Sequence, residues 1–245
     1  MILTSKAIVL RSIDYQGSSK IITVLCQSNG KIALIAKGVK KPKSKLSGTI
    51  EVGNILEATY YYKDSRSIQT LSDASILYQS LNFRKDFDRA SILYSTLELI
   101  SQLTHENEEN DELFLFSSTF IKWLGDVETV RPSIFPYVQI RLAQIAGVGL
   151  IVQNTQENET VYLNISSGTL TENPDSDLSY KLTKNQAMFL KVGVTSRNTE
   201  IFNIDFSNSE LKQLIHHLDV YFKYHIDSFK DRRSDTIFEQ MLKET

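Results

Sequence analysis

Cysteine, proline and glycine are scarce in this chain: one, four and ten residues among 245. A lone Cys26 excludes an internal disulfide and any cysteine-cage zinc site, which fits a reducing compartment. It lies in the apolar run Ile21-Ile22-Thr23-Val24-Leu25-Cys26, so a buried core thiol is expected rather than a reactive one. So few glycines and prolines exclude a linker-rich or disordered chain. No apolar run approaches the length that crosses a bilayer. Met1-Ile2-Leu3 leads straight into a strand pattern, without the cationic start and apolar stretch of a signal peptide. The expected location is therefore the cytoplasm.

Catalytic signatures are missing as well. There is no Gly-x-Ser-x-Gly, no Walker A loop and no Gly-x-Gly-x-x-Gly. Gly147-Val148-Gly149 is too short for the last of these and follows a helical pattern. His216 and His217 are helix neighbours that diverge by about 100°, so they make no i, i+4 metal pair, and His105 and His225 lie elsewhere. The acidic stretch Glu106-Asn107-Glu108-Glu109-Asn110-Asp111-Glu112 lacks the spacing and central glycine of a calcium loop. No catalytic residue, metal ligand or cofactor is expected, and the chain does not read as an enzyme.

What is present is unevenly distributed. The net charge is −2, yet residues 1–72 carry eleven Lys and Arg against four acids, a net +7, which leaves −9 for the rest. Such asymmetry marks a polyanion-binding module joined to something else. The densest basic stretch is Gly38-Val39-Lys40-Lys41-Pro42-Lys43-Ser44-Lys45-Leu46-Ser47-Gly48, with Lys37 just before it. It reads as a mobile cationic loop with only Val39 and Leu46 to anchor it. Such a loop suits a phosphate backbone, because each neutralised phosphate releases a counterion. A solvated turn kept soluble by lysine is the other reading.

Residues 1–72 read as five short strands: Lys6–Ile13, Lys20–Gln27, Lys31–Lys37, Asn54–Tyr62 and Ser67–Leu71. Asn29-Gly30 marks a hairpin between the second and third. Five strands with a long connection after the third predict a small Greek-key barrel of the OB type. The character then becomes helical, with helices expected over Asp86–Leu103, from Leu113 to a stop at Gly125, and from Pro132 to Gly147. Periodicity disappears between Gly149 and Asp177, where Val161–Ile165 and Thr169-Leu170 form a small hairpin around Ser166-Ser167-Gly168. Thr183 caps a helix to about Val192, and Ser207-Asn208-Ser209-Glu210 is a capping box that opens another. The polar residues from Arg233 onward are expected to fray. The fold class is thus α+β. It comprises an OB-fold domain at 1–75 and a helical domain at 76–245, with an irregular or hairpin insertion at about 149–178.

Within Tyr60-Tyr61-Tyr62, strand alternation sends Tyr61 to the opposite face from its neighbours. One face can pack the barrel while Tyr61 offers a ring for base stacking; packing alone is the competing reading. Lys20, Lys31, Lys37, Lys40, Lys41, Lys43, Lys45 and Arg66 supply the charge, and the expected binding is sequence-tolerant and salt-sensitive. In the helical part, Arg131 and Arg141 adjoin apolar residues and could hold an acidic, aromatic-ended peptide, or could simply sit at the solvent edge of a bundle.

Taken in order, Lys6-Ala7-Ile8-Val9-Leu10, Gly17-Ser18-Ser19-Lys20-Ile21-Ile22-Thr23-Val24-Leu25, Gly30 to Gly38, Lys41-Pro42-Lys43-Ser44-Lys45-Leu46, Tyr60-Tyr61-Tyr62 and Leu71-Ser72-Asp73-Ala74 resemble the bacterial RecO family of recombination mediators. The remainder matches that family in layout. The resemblance implies an OB-fold domain followed by a helical domain, and a non-enzymatic role. That role is to bind single- and double-stranded DNA, anneal complementary strands and assist recombinase loading. It implies two protein partners, RecR and the acidic C-terminal tail of single-stranded-DNA-binding protein, the latter giving weight to Arg131 and Arg141. Many family members hold a four-cysteine zinc site in the region corresponding to Gly149–Glu172. This chain has no cysteine there, so zinc is expected to be absent. The subdomain must then be held by its own hydrogen bonds and by Val161, Leu163, Ile165 and Leu170. The alternative function is an OB-type adaptor whose lysine loop meets an acidic protein.

Overall fold

The computed structural model describes residues 1–153 and 160–244; residues 154–159 of the expected insertion lie outside the described residues. The chain divides into two compact units, Met1–Glu128 and Thr129–Thr245.

Five strands open the first unit: β1 (Ile2–Tyr15), β2 (Ser19–Cys26), β3 (Gly30–Ala36), β4 (Ile55–Tyr61) and β5 (Ile68–Tyr78). They close a barrel in the order β1-β2-β3-β5-β4, antiparallel except for the β3–β5 pair. This is the closed five-stranded Greek key expected of an OB-fold. Alternation along each strand fills the interior with Ala7, Val9, Ile22, Val24, Ile32, Leu34, Leu56, Ala58, Tyr60 and Leu71. Cys26 belongs to this core, and burial pushes its thiol up to about 12. Gly30, in the β2–β3 hairpin, has φ of 59°, and a side chain there would collide with the backbone of Glu108. Both reasons require glycine.

Two strands exceed their expected lengths. β1 begins at Ile2 because its first half pairs with β4, Ile2 opposite Tyr61 through Ile8 opposite Ile55. β5 continues to Tyr78 because the register shifts between Thr59 and Tyr60, and the ladder resumes at Asp73 beyond Ser72. A bulge hides the period-two pattern from a sequence reading.

Three helices complete the unit: α1 (Asn82–Lys85), α2 (Phe87–Leu103) and α3 (Asp111–Asp126). The Asp86 side chain caps α2 by accepting from Arg89 N, and Asn110 caps α3 by accepting from Leu113 N. Gly125 does not stop α3. It lies inside the helix, where a side chain would strike Tyr78 Oη, so close packing rather than termination requires glycine. Helix α2 packs on β1, whose Ile8 and Leu10 are buried on the side away from the barrel interior.

The second unit holds α4 (Ile134–Ile145), a four-stranded sheet of β6 (Ile151–Val152), β7 (Tyr162–Asn164), β8 (Thr169–Thr171) and β9 (Ser179–Lys181), then α5 (Lys184–Thr195), α6 (Asn208–His225) and α7 (Asp235–Glu244). Pro132 falls just outside α4, in the turn before its N-cap Ser133. The β7–β8 hairpin forms as expected, and β6 and β9 flank it in the order β6-β8-β7-β9. Both capping boxes are present, Thr183 with Gln186 and Ser207 with Glu210. The chain end contradicts the expectation of fraying. Phe238, Met241 and Leu242 lie on one face of α7 and are buried, which pins a segment that is polar on average. Among the described residues, no helix is long and apolar enough to cross a membrane.

Candidate nucleic-acid interface

The outer face of the barrel carries two aligned rows. Cα pairing runs Ile13–Ile21–Ile35–Thr70–Tyr61 from β1 across β2, β3 and β5 to β4. A second row runs Arg11–Thr23–Ala33–Ile68. Their immediate neighbours Ile22, Val24, Leu34 and Leu71 point inward, so these side chains point out, and none of them is fully buried. At the usual strand spacing of about 4.8 Å, four steps make the first row about 19 Å long. Tyr61 ends it at 49% exposure, whereas Tyr60 is fully buried and donates its hydroxyl to Asn29 Oδ1 at 2.6 Å. Tyr62 packs partly against the core. The expected alternation of the three tyrosines is therefore what the fold contains.

Two further residues join this face that sequence reasoning missed. Arg11 and Tyr15 share the outward side of β1 with Ile13, and all three are exposed. The register shift between Val9 and Arg11 changes the phase of the strand there and hides them from a simple alternation. Lys37 continues the outward side of β3 two residues beyond Ile35 and is exposed. Arg66 is exposed in the β4–β5 turn, which leads into Ile68. In OB-folds the β2–β3 face and the loops after β1 and β4 receive oligonucleotides.

The lysine stretch differs from the mobile loop expected. It winds through consecutive turns, with backbone bonds from Lys41 N to Gly38 O, Ser44 N to Lys41 O, Ser47 N to Ser44 O and Thr49 N to Leu46 O. Val39 and Ile50 are buried in the barrel core, Leu46 and Val52 pack against it, and Asn54 Nδ2 donates to the carbonyls of Gly48 and Thr49. Ile50 is the anchor that the sequence reading overlooked. Lys41, Lys43 and Lys45 remain exposed on this fixed frame, so their charges are presented rather than swept through solvent. Lys40 is different. Its Nζ donates to Asp14 Oδ2 at 2.7 Å, and its backbone N–H bonds Ser18 O. Lys20 lies opposite Asp14 in the β1–β2 ladder.

Lys31 stands apart from the rest. It lies at the other end of β3, and its Nζ donates to Ser101 O at the end of α2 at 2.7 Å. Its backbone carbonyl accepts from Asn107 N, and burial lowers its pKa, partly opposed by Glu106. Its geometry is that of a strut between barrel and helix. In the second unit, Arg131 is exposed ahead of α4 and Arg141 is half-buried on it. Arg131 precedes Ser133, the N-cap of α4, whereas Arg141 lies within the helix.

Two buried arginines, by contrast, were not anticipated. Arg89 holds the carbonyls of Leu124 and Val127 at the end of α3, with Asp86 on its Nε. Arg232 grips Asp219 with two nitrogens and also bonds Asp235, beneath the ring of Phe135. No signal in the sequence links Arg89 to the carbonyls of Leu124 and Val127, or Arg232 to Asp219 and the Phe135 ring.

The sheet of the second unit is held by side chains. Val161, Leu163, Ile165 and Leu170 are buried. Asn164, also buried, donates to Thr169 Oγ1 and Asn173 O and accepts from Asp175 N and Ser179 Oγ. Helix α6 adds Tyr221, donating to Val148 O, and His225, whose Nε2 lies 2.7 Å from Ile165 O. His217 stacks on Tyr180 with centroids 3.9 Å apart, and burial followed by the nearby His216 lowers its pKa to about 4. Among the described residues, no three His, Cys, Asp or Glu side chains are grouped to hold a metal ion.

Residues 1–79 match the family described as "Recombination protein O N terminal", and residues 84–234 the one described as "Recombination protein O C terminal". A "DNA repair protein RecO" of Salinibacter ruber is 34% identical over 63% of this chain and 60% of its own length. The protein of that name from Chlorobium limicola is 35% identical over 60% of this chain and 56% of its own. The one from Chloroherpeton thalassium is 27% identical over 99% of this chain and its whole length. In the first two the chain thus spans little more than half of the relative's length. A barrel ordered β1-β2-β3-β5-β4, helices after it and a match to both halves of the family agree: the chain belongs to the RecO family.

Proposed function

We propose that this chain is a DNA repair protein of the mediator type, which binds single- and double-stranded DNA, anneals complementary strands and assists recombinase loading with RecR. The observation that carries this reading is the outward apolar row ending in Tyr61, flanked by Tyr15, Arg11, Lys37 and Arg66 and bordered by the anchored loop with Lys41, Lys43 and Lys45. Rings and aliphatic side chains accept any base, and the lysines neutralise phosphates, so binding is sequence-tolerant and falls with salt. Annealing follows from the same physics, since a surface that neutralises two backbones removes the repulsion between them.

In this reading residues 1–75 are the nucleic-acid-binding domain and 76–245 the helical domain, with a zinc-less insertion at about 149–178. Lys20 stands opposite Asp14 in the ladder, while Lys31 is a strut between barrel and helix. No catalytic step is assigned, and the protein works in the cytoplasm. The acidic tail of single-stranded-DNA-binding protein would meet Arg131 and Arg141. The relatives' name, DNA repair protein RecO, supports the same reading.

Complementary-strand annealing by the purified protein tests it, with and without single-stranded-DNA-binding protein. Acceleration of annealing in both conditions is expected; no acceleration and no DNA binding at low salt overturn it. A second reading, an adaptor whose loop meets an acidic protein, is favoured by one observation: Lys40 already donates to a carboxylate, that of Asp14. An adaptor would bind no DNA even at low salt.

A further inference from the structure

Lys40 is set apart from the other loop lysines by what it touches. Its ammonium meets the Asp14 carboxylate at 2.7 Å, and both side chains are open to solvent, at 40% and 64% exposure. The Lys40 N–H to Ser18 O bond holds this part of the loop against the turn after β1, so the pair does not depend on one flexible side chain finding another. Asp14 and Lys20 are ladder partners on neighbouring strands, opposite Ala36 at the end of β3, where the loop departs. A carboxylate so placed is an anion between two ammonium groups. The pair with Lys40, and the field of Lys20, hold its carboxyl below the usual range.

We propose that Asp14 occupies the position of a nucleic-acid phosphate and competes with it for Lys40. The proposal rests on the DNA-binding reading above and adds to it a negative determinant of affinity. Exposed ion pairs are weak and are screened by salt, so an incoming phosphate can displace this carboxylate. The displaced Asp14 then remains close to the backbone and repels it. Lys40 therefore contributes less to binding than Lys41, Lys43 or Lys45, none of which has a carboxylate partner among the ion pairs of the described residues.

The test is the affinity of the full chain for a labelled oligo-dT across a range of salt. Asp14→Asn should tighten binding several-fold and steepen the slope of log K against log salt by about 0.7, the value of one added phosphate contact on a single strand. In a Lys40→Gln background the same substitution should leave the slope unchanged. Asp14→Ser serves as a second variant, and unchanged thermal midpoints confirm that both fold. Unaltered or weaker binding by Asp14→Asn and Asp14→Ser overturns the proposal. An equal gain in the Lys40→Gln background also overturns it, because the effect is then one of general charge. If the wild-type chain binds no oligo-dT at low salt, the DNA-binding reading fails with it; if the wild type binds and only the Asp14 variants are silent, this inference alone fails.

Discussion

At the rim of the barrel, Lys40 meets Asp14 in the open, with both side chains half in water. In the second unit, Arg232 is buried, paired with Asp219 and Asp235, and covered by Phe135, while Gln139 Nε2 donates to Asp219 Oδ1. The first pair costs little to form and little to exchange. The second has paid the desolvation of both ions, and burial leaves Asp219 with a raised pKa even beside the arginine. An exposed pair is fit to trade its partner for a ligand; a buried network is fit only to fix one arrangement of helices. In the proposed reading the exposed Lys40–Asp14 pair serves binding, whereas the buried Arg232 network serves stability.

The sharpest way to break this contrast is Arg232→Met, which strands two carboxylates. It should lower unfolding free energy by about 3–5 kcal/mol in urea titration while leaving oligo-dT affinity of the folded protein unchanged. Loss of DNA affinity by folded Arg232→Met would erase the division. Next, Tyr61→Ala should weaken single-strand binding by about 1–3 kcal/mol with stability nearly unaltered, since its ring is half in solvent. Fluorescence titration and a melting curve on one sample check both halves.

A graded effect follows from His217. Its pKa is about 4 in the fold against an ordinary 6.5, so the unfolded chain takes up a proton first as pH falls. Stability from this group is complete above about 6.5 and declines as pH drops toward about 4. Denaturation midpoints at several pH values should show that decline, and His217→Phe should flatten it. The smallest expected effect is that of Lys31→Gln on the salt slope, which should be nil, with only a modest loss of stability from the freed Ser101 carbonyl.

Much of this was legible from the residues, and the exceptions have definite causes. Strand β3 alternates regularly, β4 does so from Leu56 to Tyr61, and β2 is rich in Ile, Val and Thr, so their limits and the outward turn of Tyr61 could be read directly. The bulges at Val9–Arg11 and Thr59–Tyr60 shift phase, and with them Tyr15, Arg11 and half of β5 were lost to view. The end of the chain misled because nine of the thirteen residues from Arg233 onward are polar and only four are apolar. Phe238, Met241 and Leu242 nevertheless stand at helical spacing. The lysine loop was visible as charge, but not Ile50, eleven residues beyond Val39, which returns it to the core. Asp86 and Asp235 are local i,i+3 partners of Arg89 and Arg232, but the carbonyls of Leu124 and Val127 and the Asp219 carboxylate are met only on tertiary closure.

The central claim is that the barrel's anchored lysines meet phosphates. Its most direct test is the salt dependence of oligo-dT binding by the wild type and by a variant with Lys40, Lys41, Lys43 and Lys45 all replaced by glutamine. The account predicts weaker binding at every salt concentration and a log–log slope shallower by about 2 to 3, at roughly 0.7 for each lost contact. Equal affinity and an equal slope in the two proteins would contradict it.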